Sequence, residues 1–202
     1  MQSSFTTKRT VILAVLWLAC AGMASFFLYK ATHAKSSPLP LLNPVPVFTL
    51  TAEDHRAVTL SDFKGRISIA DFIFTSCQGP CPMMTTAMAG IQAMIPAGRN
   101  IHLYSFTVDP ENDSPEVLSD YARHYGADAQ RWSFLTGNRD TIENIIRHGF
   151  RLAIENPDSG DITHSTKFVL IDKNGTIRGY YDSDETSAVE RLTADALELE
   201  GE

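Results

Sequence analysis

An uncharged run of 19 residues, Val11–Tyr29, constrains this chain most, because it is long enough to cross a membrane. As a helix it would measure about 28 Å, close to the thickness of one hydrocarbon core. Ala19-Cys20-Ala21 offers small residues for signal-peptide cleavage, but the apolar run continues past this point. Trp17 fits poorly with lipid attachment to Cys20. The sequence therefore predicts an uncleaved transmembrane anchor at 11–29, preceded by a short cytoplasmic tail at 1–10.

The orientation of this anchor depends on the N-terminal amine, because two basic residues precede the run and two closely follow it. The positive-inside rule then predicts that the N-terminal tail lies in the cytoplasm and that the residues after the anchor lie on the other side of the membrane. This predicts a single-pass protein of a bacterial inner membrane with its globular part in the periplasm. Residues 30–46 contain four prolines, which predicts a semi-extended linker. One domain is then expected over 47–202.

Charge and cysteine content exclude several classes of protein. Residues 31–202 hold all 24 acidic residues and 14 of the 17 basic ones, which gives this part a net charge of −10. Such a domain repels phosphate backbones, so no nucleic-acid partner is expected. Contact with the membrane is assigned to the N-terminal helix instead. Three cysteines are too few for a disulfide-stapled scaffold.

Strand and helix patterns alternate along the predicted domain. Ser114-Pro115 is typical of a helix start, and Asn174-Gly175 is typical of a tight hairpin. The pattern predicts strands at 47–50, 57–60, 67–74, 101–108, 132–135, 167–171 and 176–181, and helices at 81–94, 114–124, 138–148 and 186–199. This order favours an α/β fold in which a mixed sheet is flanked by helices on both faces.

Two cysteines, Cys77 and Cys81, lie where the most apolar strand ends and a helix begins. The amides and dipole at a helix N-terminus stabilise a thiolate, which lowers the pKa of a cysteine there. Three intervening residues keep the sulfurs near enough for a disulfide or for one shared metal ion. The spacing differs from the C-x-x-C of thioredoxins and from a four-cysteine zinc set. From the residues alone, these two cysteines could be metal ligands, a redox pair, or two buried side chains that happen to be near each other.

Three segments carry a resemblance to a known family. Phe74–Pro82 resembles the T-x-C-x-x-x-C-P motif of the Sco/SenC family, and Val108–Ser114 looks like its V-D-P-x-x-D-T/S segment. Thr163-His164-Ser165 is similar to the D-H-S/T segment of the same family. Each motif alone is weak, but their order and spacing over about residues 45–198 make the set specific.

The resemblance implies a membrane-tethered, thioredoxin-like protein that delivers copper during cytochrome c oxidase assembly, a metallochaperone rather than an enzyme. It implies Cys77, Cys81 and His164 as copper ligands. Two thiolates suit Cu(I), and an imidazole also accommodates Cu(II). The implied partners are cytochrome c oxidase subunit II (its CuA site) or a similar copper-accepting apoprotein, together with a copper donor and a thiol reductant. The loop between the cysteines lacks the acidic residue that the family often has there.

The rival function is a thiol–disulfide oxidoreductase that uses Cys77 and Cys81 as a redox pair to reduce a copper-site apoprotein. Asp71 resembles the buried acid of thioredoxins and is a possible proton acceptor; the alternative is a carboxylate that faces solvent or pairs with a cation. Against this function, Thr166-Lys167 stands where oxidoreductases of the thioredoxin type carry a cis-proline.

Other residues near these motifs have simpler explanations. Core packing accounts for Met84 and Met88, one helical turn apart, better than a copper relay does. Asp109 is interpreted as a neighbour of the site or a helix cap, and capping of the following helix suffices for Asp113.

Overall fold

The computed structural model describes residues 39–152 and 165–201, together with three helical positions of the N-terminal segment, 17, 23 and 25. The predicted anchor otherwise lies outside the described residues. No helix in the described part of the chain is both long enough and apolar enough to cross a membrane.

A seven-stranded sheet forms the centre of the compact unit Leu39–Glu202. Its strands lie in the order β2-β1-β5-β4-β3-β6-β7. In chain order they are β1 Thr49–Ala52, β2 Ala57–Thr59, β3 Ile67–Ile73, β4 Ile101–Thr107, β5 Trp132–Thr136, β6 Lys167–Ile171 and β7 Ile177–Asp182. Four α-helices accompany them: α1 Pro80–Met94, α2 Pro115–His124, α3 Arg139–Asn144 and α4 Ala188–Glu200. The predicted mixed sheet flanked by helices is confirmed.

The direction of the strands decides which loops meet. β3 pairs with β4, and β4 with β5, in parallel, so these three strands end at the same edge of the sheet, here named the carboxyl edge. β6 pairs with β3 in the antiparallel sense and therefore begins at the carboxyl edge. The segments after β3, after β4 and before β6 are brought together there.

Alternation along β3 separates two hydrophobic clusters. Ile67, Ile69 and Ile73 pack with the buried face of α1 and with α4. Ala70 and Phe72 belong to the opposite cluster, which includes the aromatic side chains of β4 and the segment after α3. All seven residues of β3 are buried, as expected for a central strand covered on both faces.

The predicted linker is partly built into this unit. Leu42 and Val45 donate backbone hydrogen bonds to the β7 hairpin, at Ile177 and Gly175. The buried guanidinium of Arg178 donates to the carbonyl groups of Leu39 and Pro40. The folded unit therefore begins eight residues before the boundary that prolines suggested at Val47, because the extended segment supplies the backbone partners that the edge of β7 needs.

The helix predicted over 138–148 changes character along its length. It is α-helical over Arg139–Asn144 and continues as a π-helical turn over Ile145–Gly149. Gly149 lies against Pro46, and a Cβ atom there would approach the proline Cδ to 2.4 Å. The wider turn and the absence of a side chain let the segment before β1 cross over this helix.

Candidate metal and redox site

The two cysteines occupy a short loop and the first turn of the helix that follows β3. The Cys77 amide donates to the carbonyl of Phe74 at 3.3 Å, which closes a turn after the strand. The Gly79 amide then donates to the Cys77 sulfur at 3.4 Å. Pro80 is the first residue of α1, one residue before the predicted start at Cys81, and proline is favoured at this first position. Cys77 therefore lies just before the helix, and Cys81 within its first turn.

The two thiols interact with each other and are not joined by a disulfide. The side chain of Cys77 is 8% exposed and that of Cys81 is 1% exposed. Burial and the neighbouring Cys77 thiol raise the pKa of Cys81 to about 12. The expectation that the helix N-terminus lowers the pKa is wrong for Cys81, because the loss of hydration outweighs the helix dipole. A metal ion would have to displace a proton from this sulfur.

Asp71 is fully buried on β3, on the face that also packs against α1. Neither carboxyl oxygen has a hydrogen-bond partner of normal geometry, and among the described residues no cation pairs with it. Burial raises the pKa of Asp71 to about 7, although the nearby Ser105 hydroxyl lowers it in part. Its charge also contributes to the raised pKa of Cys81. The solvent-facing and ion-paired alternatives are therefore wrong.

Asp113 binds the loop that carries Cys77. Its carboxylate accepts from the backbone amide of Thr75 at 3.1 Å and from the hydroxyl groups of Thr75 and Thr107, at 2.5 Å each. The helix that follows is capped by Ser114, whose hydroxyl accepts from the Val117 amide. Capping as the explanation for Asp113 is therefore wrong, whereas the predicted N-cap role of Ser114 is confirmed.

A second connection joins α2 to the turn that contains Cys81. The Thr85 hydroxyl donates to the Cys81 carbonyl at 2.9 Å and shares a hydrogen bond of 2.9 Å with the Tyr121 hydroxyl. Burial raises the pKa of Tyr121, and the charge of Cys81 contributes to this shift. The Cys81 turn is thus connected to α2, and the Cys77 loop to Asp113, two residues before α2.

His164, the third predicted ligand, lies outside the described residues. The described chain resumes at Ser165, and β6 begins at Lys167 at the carboxyl edge, where Lys167 pairs with Asp182. Within residues 39–152 and 165–201, no three Cys, His, Asp or Glu side chains converge on a possible metal position. Cys77 and Cys81 are therefore the predicted ligands that the structure brings together.

Other methionines and histidines of the described residues are either buried in the core or exposed on the surface. Met84 and Met88 are buried in the core, which confirms the packing interpretation. His55 pairs with the exposed Glu116. His102 is buried against Ser133, and burial with the nearby Arg66 charge lowers its pKa to about 4.

Thr75, Thr85 and Tyr121 are neighbours of the cysteine segments that the sequence motifs did not indicate. Thr75 precedes Cys77 by two residues and Thr85 follows Cys81 by four, so local sequence contained a hint of both. Tyr121 carried no such signal, because it reaches Thr85 across 36 positions of the chain.

Comparisons with known proteins agree with this arrangement. The SCO1/SenC family model matches residues 42–198. A SCO1 protein homolog from Bacillus subtilis is 33% identical over 178 residues, covering 87% of this chain and 92% of its own length. The solved structure of BsSco, a member of the Sco family of cytochrome c oxidase assembly proteins for which a disulfide switch is described, has 31% identity and a TM-score of 0.72. It covers 81% of this chain and 97% of BsSco.

A more distant structure, Bradyrhizobium japonicum ScoI with copper bound, shares the fold with a TM-score of 0.64 and 23% identity. The match covers 77% of this chain and 99% of ScoI. The extent of the family match, the thioredoxin-like sheet and the paired cysteines after β3 lead to one conclusion: this chain belongs to the SCO1/SenC family.

Proposed function

We propose that this protein is a membrane-tethered metallochaperone that binds one copper ion through Cys77, Cys81 and His164 and delivers it to the CuA site of cytochrome c oxidase. The observation that carries the proposal is the pair of neighbouring thiols at the carboxyl edge of the sheet. Two soft sulfur donors favour Cu(I) over harder divalent ions. The copper-bound ScoI protein, which has the same fold, supports copper as the cargo.

His164 completes the proposed ligand set. It precedes β6 by three residues, and β6 begins at the same edge of the sheet at which β3 leads into the Cys77 loop. An imidazole donor gives the site a ligand that both Cu(I) and Cu(II) accept. A protein that meets copper in either oxidation state would therefore retain the ion in both.

The accessibility of the site is consistent with transfer rather than storage. Cys77 is 8% exposed at the carboxyl edge of the sheet, whereas Cys81 is only 1% exposed. An incoming acceptor would reach the copper from the side of Cys77. We place the domain in the periplasm, held by the run 11–29, where cytochrome c oxidase subunit II, a copper donor and a thiol reductant would be its partners.

Oxidation of the two cysteines is expected to abolish copper binding, because thiolates and not a disulfide are the ligands. The full chain in detergent, reduced and freed of reductant, should bind one equivalent of Cu(I). The same protein after formation of the Cys77–Cys81 disulfide should bind none. Metal analysis after gel filtration measures both. Unchanged stoichiometry after oxidation would place the copper elsewhere and contradict the proposal.

Replacing His164 with alanine is expected to weaken Cu(II) binding more than Cu(I) binding. Cu(I) can remain between two thiolates, whereas Cu(II) loses its proposed nitrogen donor. We expect a loss of at least about 100-fold in Cu(II) affinity, because removal of a ligand should cost more than the roughly 10- to 100-fold typical of groups that only orient one. The sulfur-to-copper charge-transfer absorption should also change. His148→Ala, a change outside the proposed ligand set, is the control. Identical spectra and affinities for wild type and His164→Ala would remove His164 from the site.

The second candidate function, a thiol–disulfide oxidoreductase, is favoured by one observation. Asp71 is a buried carboxyl group with a pKa of about 7, on the face of the sheet that packs against α1. Such a group can accept the proton that Cys81 must lose when it attacks a mixed disulfide. Lys167 at the start of β6, where a cis-proline would receive the substrate chain, supports the metallochaperone instead.

A further inference from the structure

Asp113 is a buried side chain that the proposed ligand set does not use. It is 0% exposed, and no lysine, arginine or histidine pairs with it in the part of the chain that the structure describes. Its hydrogen-bond donors are Thr75, two residues after β3, and Thr107, the last residue of β4. A carboxylate removed from water in this way is retained only when its partners hold it well.

We infer that Asp113 is a positioning residue for Cys77, which holds the loop after β3 in the dithiol arrangement that binds metal and opposes its conversion to the disulfide. The inference rests on the proposed function, because it assigns a role toward the same two sulfurs. It adds a residue 36 positions away from Cys77 that contacts neither sulfur.

Asp113 binds the loop after β3 at Thr75. Thr75 offers both its amide and its hydroxyl, so the carboxylate fixes the backbone and the side chain at one position. Two residues later, the Cys77 amide closes the turn onto Phe74. With Thr75 held from one side and α1 starting at Pro80 on the other, Cys77 has little freedom to move.

The turn that contains Cys81 is connected to the helix that follows Asp113. Asp113 lies two residues before α2, and Tyr121 on α2 reaches the Cys81 turn through Thr85. The helix α2 therefore spans between the two cysteine segments. A change in the separation of the sulfurs must either break one of these connections or move the helix.

The dithiol and disulfide states place the two sulfur atoms at different separations. A disulfide requires sulfur atoms about 2.05 Å apart, whereas two thiolates that share one ion each lie about 2.3 Å from the metal and are farther from each other. Formation of the disulfide therefore brings the Cys77 sulfur closer to the Cys81 sulfur. The contacts of Asp113 hold Thr75 in the structure in which the two thiols are not bonded, so a movement of Cys77 toward Cys81 works against them. On this inference they favour the dithiol over the disulfide.

Asp113→Asn is the variant that tests this role in the full chain. The amide keeps the shape but replaces one acceptor oxygen with a donor that faces the donors of Thr75. We expect Cu(I) affinity to fall about 10-fold. The dithiol–disulfide equilibrium against glutathione should shift toward the disulfide by about 10-fold, equivalent to about 30 mV. The rate at which iodoacetamide alkylates Cys77 should also change.

Asp109→Asn is the matched control. Asp109 is another buried carboxylate of the same segment, 5% exposed, but its side chain contacts Asn112 and Arg139 and not Thr75. We expect this variant to keep the wild-type copper affinity and redox equilibrium. Thr75→Val removes one donor to Asp113 with little change in volume, and should reproduce part of the effect. Combined with Asp113→Asn, it should add less than its separate effect, because the two residues share one interaction.

Three outcomes would overturn the inference. A folded Asp113→Asn protein with wild-type copper affinity and redox equilibrium would do so, as would equal effects of Asp109→Asn. If Asp113→Asn fails to fold, a Thr75→Val protein identical to wild type in both measurements decides against it. The redox equilibrium and the alkylation rate involve no metal, so they test Asp113 even if wild-type protein binds no copper and the proposed function fails.

Discussion

Cys77→Ser and Cys81→Ser should each weaken Cu(I) binding by about three orders of magnitude or more, because each variant leaves a single thiolate at the proposed site. A serine hydroxyl is a hard ligand and does not replace a thiolate for Cu(I). The effect should exceed that of any other single change in this protein. Competition with a chromophoric Cu(I) chelator, using the full chain in detergent, measures it.

The control for this pair of variants is Cys20→Ser, in the predicted anchor. It removes a cysteine from the chain without touching the proposed site, so it should bind Cu(I) as tightly as wild type. Cys81→Ser also places a hydroxyl group where the side chain is 1% exposed, so a urea titration should accompany it to establish that the variant is folded. A folded Cys81→Ser protein that keeps wild-type affinity would exclude Cys81 as a ligand.

Asp71→Asn should change the pH dependence of stability. The folded-state pKa of Asp71 is raised to about 7 from an ordinary value of 3.8. Its contribution to stability is therefore fully present below pH 3.8 and is lost as the pH rises to about 7. The loss amounts to about 4 kcal/mol. The gain in unfolding free energy on replacing Asp71 with asparagine should be about 3–4 kcal/mol larger at pH 8 than at pH 4.

His102 affects the same pH window with the opposite sign. Its folded-state pKa is lowered from 6.5 to about 4, so the stability it contributes is present above pH 6.5 and is lost as the pH falls through 4. As the pH rises, the free energy of unfolding of the wild type therefore falls through Asp71 and increases through His102. The difference between Asp71→Asn and wild type at each pH, from urea titrations, isolates the carboxyl group because His102 is common to both.

Asp71→Leu should reproduce the change in pH dependence, because the effect arises from the loss of an ionisable group and not from a lost hydrogen bond. A pH profile parallel to wild type in both variants would contradict the raised pKa. The same Asp71→Asn protein distinguishes the two candidate functions. Slower thiol–disulfide exchange near pH 7 would favour the oxidoreductase, whereas unchanged exchange and copper affinity would favour the metallochaperone.

The sequence by itself determined the features that depend on nearby residues. The strand before Cys77, the helix that begins at Pro80, the Ser114 cap and the Asn174-Gly175 hairpin are each encoded within a few positions. Hydrophobic periodicity and cap residues act through neighbours along the chain, so they can be interpreted without a structure. The family resemblance also came from such short motifs.

The tertiary structure decided the environment of each group. Asp71 could have faced solvent, but the strand order places it between β4 and β6, where burial raises its pKa. The same burial overrides the helix dipole at Cys81. Asp113 was predicted to cap a helix, but in the structure its carboxylate binds Thr75, which lies 38 positions earlier in the sequence. Desolvation and contacts between distant segments exist only after the sheet has assembled, so no local pattern in the sequence could have predicted them.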